Sequence, residues 1–315
     1  MSPGQRLRVR VCCLAAFVLW LALGIAPVRA GLSTNLYPAA DTGLFENAPT
    51  NNLGGMTFVP VGTTAVLTRC RALFRFDIAG ALPANAIVNA VTLRLIVTQG
   101  SAITNFSALS RALVDWGEGT GVGGPGRGSL GAPATEGEAT WFARFFSTNT
   151  PILWAAPGAL AGMDFNISPS AIGPLGPTGS TNDFASPEMA ADVQLWLNNP
   201  ASNFGWILVA TNESPDYPAV RVATREDPVN TPVLTIDYSL PNAPPVLTGV
   251  GLTNGDFTFS FVARSNRTYS VEFRGSPGDP PWLTLTNLPA PAQDSPVSIL
   301  DPLTASNRFY RVRTP

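Results

Sequence analysis

The chain of 315 residues contains no histidine and no lysine. Without histidine there is no Ser-His-Asp triad and no His-bearing zinc site. Without lysine there is no Walker P-loop lysine, no Schiff base and no Ser-Lys dyad. What survives is carboxylate chemistry of the glycosidase kind, aided at most by Tyr or Arg. Charge is sparse, at 13% of residues, and cysteine is confined to Cys12, Cys13 and Cys70.

The first thirty residues read as a secretory signal peptide. Arg6, Arg8 and Arg10 give the positive start, Val11 to Ala26 the apolar run, and Val28-Arg29-Ala30 the small residue at a cleavage site. The apolar run is shorter than the roughly 20 residues of a membrane span. Export to the medium or the cell surface is therefore expected, with no membrane span after cleavage near Gly31. From Gly31 onward 15 Arg face 21 Asp plus Glu, an acidic excess of six. That balance disfavours a nucleic-acid partner, because phosphate binding needs a positive field. Cys70 is then the only cysteine, which excludes an internal disulfide and suits a small buried hydrophobe.

Residues 31–240 and 246–315 form two β-rich regions, separated by the linker Pro241-Asn-Ala-Pro-Pro245. In Arg69 to Ile78 the period of two puts Cys70, Ala72, Phe74, Phe76 and Ile78 on one face. Arg69, Arg71, Arg75 and Asp77 fall on the other. Ala90 to Val97 repeats the scheme, with Val91, Leu93, Leu95 and Val97 inward and Arg94 outward. Such alternation predicts an antiparallel sheet covered on one side. Short alternating runs between turn clusters predict an all-β fold, a β-sandwich. One short helix interrupts it: Ser186 is an N-cap, Pro187 follows, and Met189, Val193, Trp196 and Leu197 make one apolar stripe before Asn198-Asn199-Pro200. Downstream, Phe257, Phe259 and Phe261 share a face, as do Tyr269, Val271 and Phe273. These predict a second, small Ig-like or fibronectin-like β-sandwich.

Residues 37–238 resemble the secreted bacterial DNRLRE domains, which are related to carbohydrate-binding module family 96. The resemblance rests on landmarks in order: Tyr37-Pro-Ala-Ala-Asp41-Thr42, Asn51-Asn52-Leu53-Gly54, Arg71-Ala-Leu-Phe-Arg-Phe-Asp77 and Ala90-Val-Thr-Leu-Arg-Leu95. Then come Val114-Asp-Trp-Gly-Glu118, Glu138-Ala-Thr-Trp141, Asp192-Val-Gln-Leu-Trp196, Asn203-Phe-Gly-Trp-Ile-Leu208, Thr224-Arg-Glu226 and Pro232-Val-Leu-Thr-Ile-Asp-Tyr238. The resemblance implies a jelly-roll-like antiparallel β-sandwich, with polysaccharide binding attested for some relatives. The chain departs from those relatives by a long glycine-rich insert and by having no lysine.

Three groups of residues carry candidate chemistry. Asp115-Trp116-Gly-Glu118 and Glu138-Ala-Thr-Trp141, with Trp154, bring carboxylates and indoles together if the intervening loop folds back. Such a mix either stacks on sugar C–H faces and accepts hydroxyl hydrogen bonds, or is a turn with core tryptophans. Asp115, Glu118 and Glu138 are also the only sensible catalytic carboxylates for a hydrolase or lyase. Arg69, Arg71, Arg75, Arg94 and Arg225 either form a guanidinium surface for uronate or sulfate groups, or pair with carboxylates such as Asp77. Asp41, Glu46, Asn51 and Asp237 offer hard oxygen ligands for a structural calcium ion, although no D-x-D-x-D-G loop is present. Gly121-Val-Gly-Gly-Pro-Gly126 matches G-x-G-x-x-G in letters only, lacks strand-to-helix context and reads as a flexible loop. The expectation is an exported, non-catalytic protein that binds polysaccharide or cell-surface matrix. The alternatives are a structural surface protein and a carboxylate-based hydrolase or lyase.

Overall fold

A computed structural model describes residues 32–100, 104–123, 130–214, 219–240, 244–265, 267–276, 278, 281–302 and 307–314. The expected signal peptide and residues 241–243 of the expected linker lie outside them. The chain divides into two compact units at Pro244 and Pro245.

The strands of the first unit begin with β1 (Leu32–Leu36), β2 (Ala40–Phe45), β3 (Asn51–Asn52), β4 (Phe58–Thr63) and β5 (Arg69–Arg75). Next are α1 (Ile78–Ala81), β6 (Ile87–Gln99), β7 (Asn105–Arg111), β8 (Ala132–Pro133), β9 (Ala143–Phe145) and β10 (Ile152–Leu153). The unit closes with β11 (Ala171–Leu175), β12 (Thr181–Ala185), α2 (Pro187–Asn198), β13 (Trp206–Ala210), β14 (Val220–Ala223) and β15 (Val233–Ser239). Hydrogen bonds run through β1-β15-β6-β14-β4-β5-β13-β7-β11, with β12 added on β6 and β2 on β5. All these pairings are antiparallel. The sheet curls until its two halves face each other, which makes the unit all-β and sandwich-like.

The main core lies between those halves. Leu93, Leu95, Val97, Leu234 and Ile236 come from one side, and Cys70, Ala72, Phe74, Leu109, Trp206 and Leu208 from the other. These are the inward residues of the period-two pattern. Helix α2 forms as its sequence dictates. The Ser186 hydroxyl accepts the Met189 N–H at 3.0 Å, Pro187 opens the first turn, and Met189, Val193, Trp196 and Leu197 enter the main core. Trp196 meets Trp206 edge-on, ring centroids 4.5 Å apart.

Two expectations at β5 are corrected. The strand stops at Arg75, and Asp77, exposed as expected, caps the single turn α1 by accepting Gly80 N–H at 2.9 Å instead of pairing with arginine. The sheet is also not covered on one side only. Ala40, Leu44, Leu73 and Ile207, on the opposite face from Phe74, are buried beneath Trp116, Ala139, Trp141, Trp154, Ala159 and Phe165. Residues 112–123 and 130–170, which have little regular structure, thus form a covering layer with its own apolar core.

The second unit holds β16 (Thr248–Thr253), β17 (Asp256–Ala263), β18 (Tyr269–Arg274), β19 (Leu283–Leu288), β20 (Ser295–Pro302) and β21 (Phe309–Arg313). Sheets β16-β17-β20 and β19-β18-β21 enclose Phe259, Phe261, Ala263, Tyr269, Val271 and Ile299. No helix among the described residues is long and apolar enough to cross a membrane.

Because β5 is dry on both faces, Leu73→Ala should cost as much as Leu93→Ala in the main core, about 2–5 kcal/mol each. Urea unfolding midpoints of the two variants check this. A loss under about 1 kcal/mol for Leu73→Ala, the range of exposed positions, would contradict a packed second layer.

Candidate carboxylate site

In β2 the register places Asp41 opposite Phe74, so its side chain points to the main-core side of the sheet. Asp41 is fully buried. Its Oδ2 accepts the Arg225 backbone N–H at 2.8 Å, and its own N–H donates to Glu118 Oε1 at 2.9 Å. Asp41 Oδ1 is buried without a hydrogen-bond partner. Glu118 comes from the covering layer, just past Trp116, while Arg225 and Glu226 lie in the turn that follows β14. One ligand oxygen from each of Asp41, Glu118 and Glu226 lies within 4.8 Å of the others.

A single guanidinium sits among these three carboxylates. Arg225 Nε is 2.7 Å from Glu118 Oε1 and 2.9 Å from Glu226 Oε1, and a terminal nitrogen donates to Glu118 Oε2 at 3.1 Å. Glu226 Oε2 is left buried and unpartnered. Burial is the main force pushing the Asp41 carboxyl up to about 8. The Arg225 backbone hydrogen bond opposes it, and the charges of Glu226 and Glu118 add to it. Glu118 is also raised, chiefly by burial. The cluster can therefore hold a proton or a hard cation. It is closed to a bulky substrate at Asp41, which has no exposed surface.

Of the four expected calcium ligands, the structure keeps only Asp41 here. Glu46 lies just past the end of β2, five residues on and about 17 Å away at strand rise, and both its oxygens hold Arg69, at 3.0 and 2.7 Å. That pairing keeps the Glu46 carboxyl below its ordinary range. The Asn51 amide donates to the Leu130 carbonyl at 2.8 Å. Asp237 is exposed on β15, on the face away from the core residues Leu234 and Ile236.

The covering layer does fold Glu138-Trp141 back on Asp115-Glu118, since Ala139 N–H donates to the Gly117 carbonyl at 2.8 Å. It does not make a sugar platform of the indoles. Trp116, Trp141 and Trp154 are at most 5% exposed. Trp116 Nε1 donates to the Phe204 carbonyl and Trp154 Nε1 to the Thr140 carbonyl, both at 2.8 Å. The carboxylates are held as firmly. Asp115 Oδ1 takes an Arg75 N–H at 2.7 Å and the Trp116 N–H at 2.8 Å. Glu138 accepts Thr120 N–H at 2.9 Å and Thr135 N–H at 2.8 Å.

The expected guanidinium surface is likewise a set of pairs. Arg71, buried, grips both oxygens of Glu213 at 2.8 Å and the carbonyls of Gly158 and Ala159 at 2.6 and 2.8 Å. Arg94 makes a fork with Asp183, 2.9 Å on each arm, at the surface. Arg69 and Arg71 lie over the Trp141 ring and Arg75 over Trp116, with centroid distances of 5.2, 5.6 and 5.0 Å. The glycine-rich segment is no loose loop where it is described. The Asn52 side chain accepts Gly54 N–H and Gly121 N–H, each at 2.8 Å, and donates to the Glu118 and Ala139 carbonyls at 2.6 and 3.0 Å. A Cβ at Gly121 would lie 2.2 Å from the Asn52 carbonyl oxygen. Residues 124–129 of that segment lie outside the described residues.

Sequence reasoning missed the meeting of Glu226 with Asp41. The one signal available was that both fall in landmarks at strand ends, Asp41 at the opening and Arg225-Glu226 near the close. The chain matches no known family model and no curated protein.

The raised Asp41 carboxyl sets the sign of a pH effect. The folded state binds this proton more tightly than the unfolded chain does, so its contribution is full below about 3.8 and is lost as pH rises to about 8. In metal-free buffer the wild type should lose stability relative to Asp41→Asn across that window, by at most about 1.4 kcal/mol per pH unit. Urea midpoints at pH 5 and 8 measure the gap, and a gap that stays constant would contradict the assignment.

Proposed function

We propose that this chain is an exported, non-catalytic binding protein of the DNRLRE type that presents its first β-sandwich to extracellular polysaccharide, the second unit serving as spacer. The observation that carries this reading is an open groove of about 480 Å³ on the covering layer, within the ~300–1,000 Å³ of ligand sites. Thr50, Phe142, Phe146, Ser147, Pro151 and Leu153 line it. Phe142 and Leu153 are exposed, at 44% and 59%. Phenyl rings beside hydroxyls are the combination a sugar requires, since ring faces stack on C–H groups while hydroxyls exchange hydrogen bonds. The groove, which Trp154 also lines, offers such a surface, whereas Trp116 and Trp141 stay outside it.

The absence of histidine and lysine favours binding over catalysis. The engagement of Asp115, Glu118 and Glu138 by arginine and backbone donors also supports a binding or structural role for them.

A glycan array on the protein, followed by affinity electrophoresis, tests the reading. At least one polysaccharide should bind, and Phe142→Ala should weaken it about tenfold or more, the worth of ~1.4 kcal/mol, with an unchanged urea midpoint. Absence of binding across the array would leave a structural surface role, and release of new reducing or unsaturated sugar ends would restore the enzyme reading.

A further inference from the structure

We propose that Asp41, Glu118 and Glu226 form a site for one hard divalent cation, and that calcium is the ion the site suits. The donors are all carboxylate oxygens, with no nitrogen or sulfur ligand among them, which selects calcium or magnesium over zinc or copper. The three oxygens lie within 4.8 Å of one another, close enough for one ion with Ca–O bonds of ~2.3–2.6 Å, whereas magnesium holds its waters more tightly and suits a partly buried carboxylate cluster less well. One ion taking an oxygen from each would share Glu118 and Glu226 with the Arg225 guanidinium.

Independent of the clustering itself, Asp41 Oδ1 is a fully buried carboxylate oxygen with no donor, and Glu226 Oε2 is a second. A buried carboxylate oxygen without a partner is costly, and a coordinated cation removes that cost. Arg225 offsets one of the three carboxylate charges, so once Asp41 is ionised the cluster carries two, the charge of one divalent ion. Entry is open from one side. The side chains of Glu118 and Glu226 keep 18% and 23% exposure, while Asp41 forms the floor. The three ligands come from β2, the covering layer and the turn after β14, so the ion ties the layer to the sheet it covers. This site does not depend on the polysaccharide reading.

The test is calorimetric titration of calcium into chelator-treated protein at pH 7.5, paired with thermal melts. One site should appear, with a rise in melting temperature of about 5 °C or more at a hundredfold excess over Kd, and magnesium should give less. Asp41→Asn keeps the shape and the acceptor for Arg225 N–H, so this variant should fold yet lose calcium affinity tenfold or more. Glu226→Gln should do the same, and Glu46→Gln should bind as the wild type does. No heat and no melting shift at about 10 mM calcium, above the weak extracellular range, would overturn the proposal. Wild-type affinity in both Asp41→Asn and Glu226→Gln would also overturn it.

Discussion

Strand β5 has both faces out of water, and much of the first unit follows from that constraint. Phe74 and Ala72 look into the main core, while Leu73 looks into the second, where Ile207 and Leu44 flank it. A strand in that position cannot carry a free charge on either side. Arg71 is nonetheless on it, buried, and so each of its donor groups is directed to the Glu213 carboxylate or to a carbonyl of the covering layer. Arg75 and Arg69 lie nearer the strand ends, part exposed. Each combines one carboxylate with the face of one indole. The tryptophans of the covering layer thus serve twice, as apolar cover for Leu73 and as π faces for the cations beside it.

Arginine is the only strong cation in the chain, and its fork geometry suits it to this work. The second unit uses the same device: Arg308 and the Tyr310 hydroxyl hold buried Asp301, and Arg311 holds Glu272. Where arginine is absent, neutral donors suffice, as at Glu138 with three hydrogen bonds from Thr120 and Thr135. The Asp41 cluster stands apart because one guanidinium must serve three carboxylates and reaches only two of them with its side chain. The imbalance is local, and it leaves buried oxygens bare at the junction of three segments.

The inner face of the sandwich was legible because one rule, alternation, governs it. Cys70 to Phe76 and Val91 to Val97 point inward as their spacing requires, and Ser186 with Pro187 announces α2. The outer cover was not legible, because residues 112–123 and 130–170 bury tryptophans without any period that a strand or helix would impose. Asp77 illustrates a smaller failure: as one more alternating residue it belongs to the strand, and only its hydrogen bond to Gly80 reveals a cap. The carboxylate site was half visible. Asp41 was identified as a ligand, but its partners were sought among near neighbours in sequence, and Glu46 is carried away by strand rise. The contact that builds the site joins Asp41 to a residue 184 positions away, a distance that pattern reading cannot span.

A layer built from loops holds its shape differently from a sheet. Its ladders are only the short β3–β8 and β9–β10 pairs, so the rest of its backbone groups pair across turns and loops or with side chains. Asn52 supplies three such bonds between β3 and the covering layer, and Asp164 accepts from Ala155 and Leu160 N–H within the layer. Asn52 and Asp164 are both buried, where a broken hydrogen bond costs more than it would in water. The layer is therefore coupled to the sheet through a few polar anchors rather than through many equivalent ones. The groove at Phe142 and Leu153 lies on this layer, so its geometry rests on those same anchors, with Glu118 among them through its backbone bond to Asn52 and its side-chain bond to Asp41.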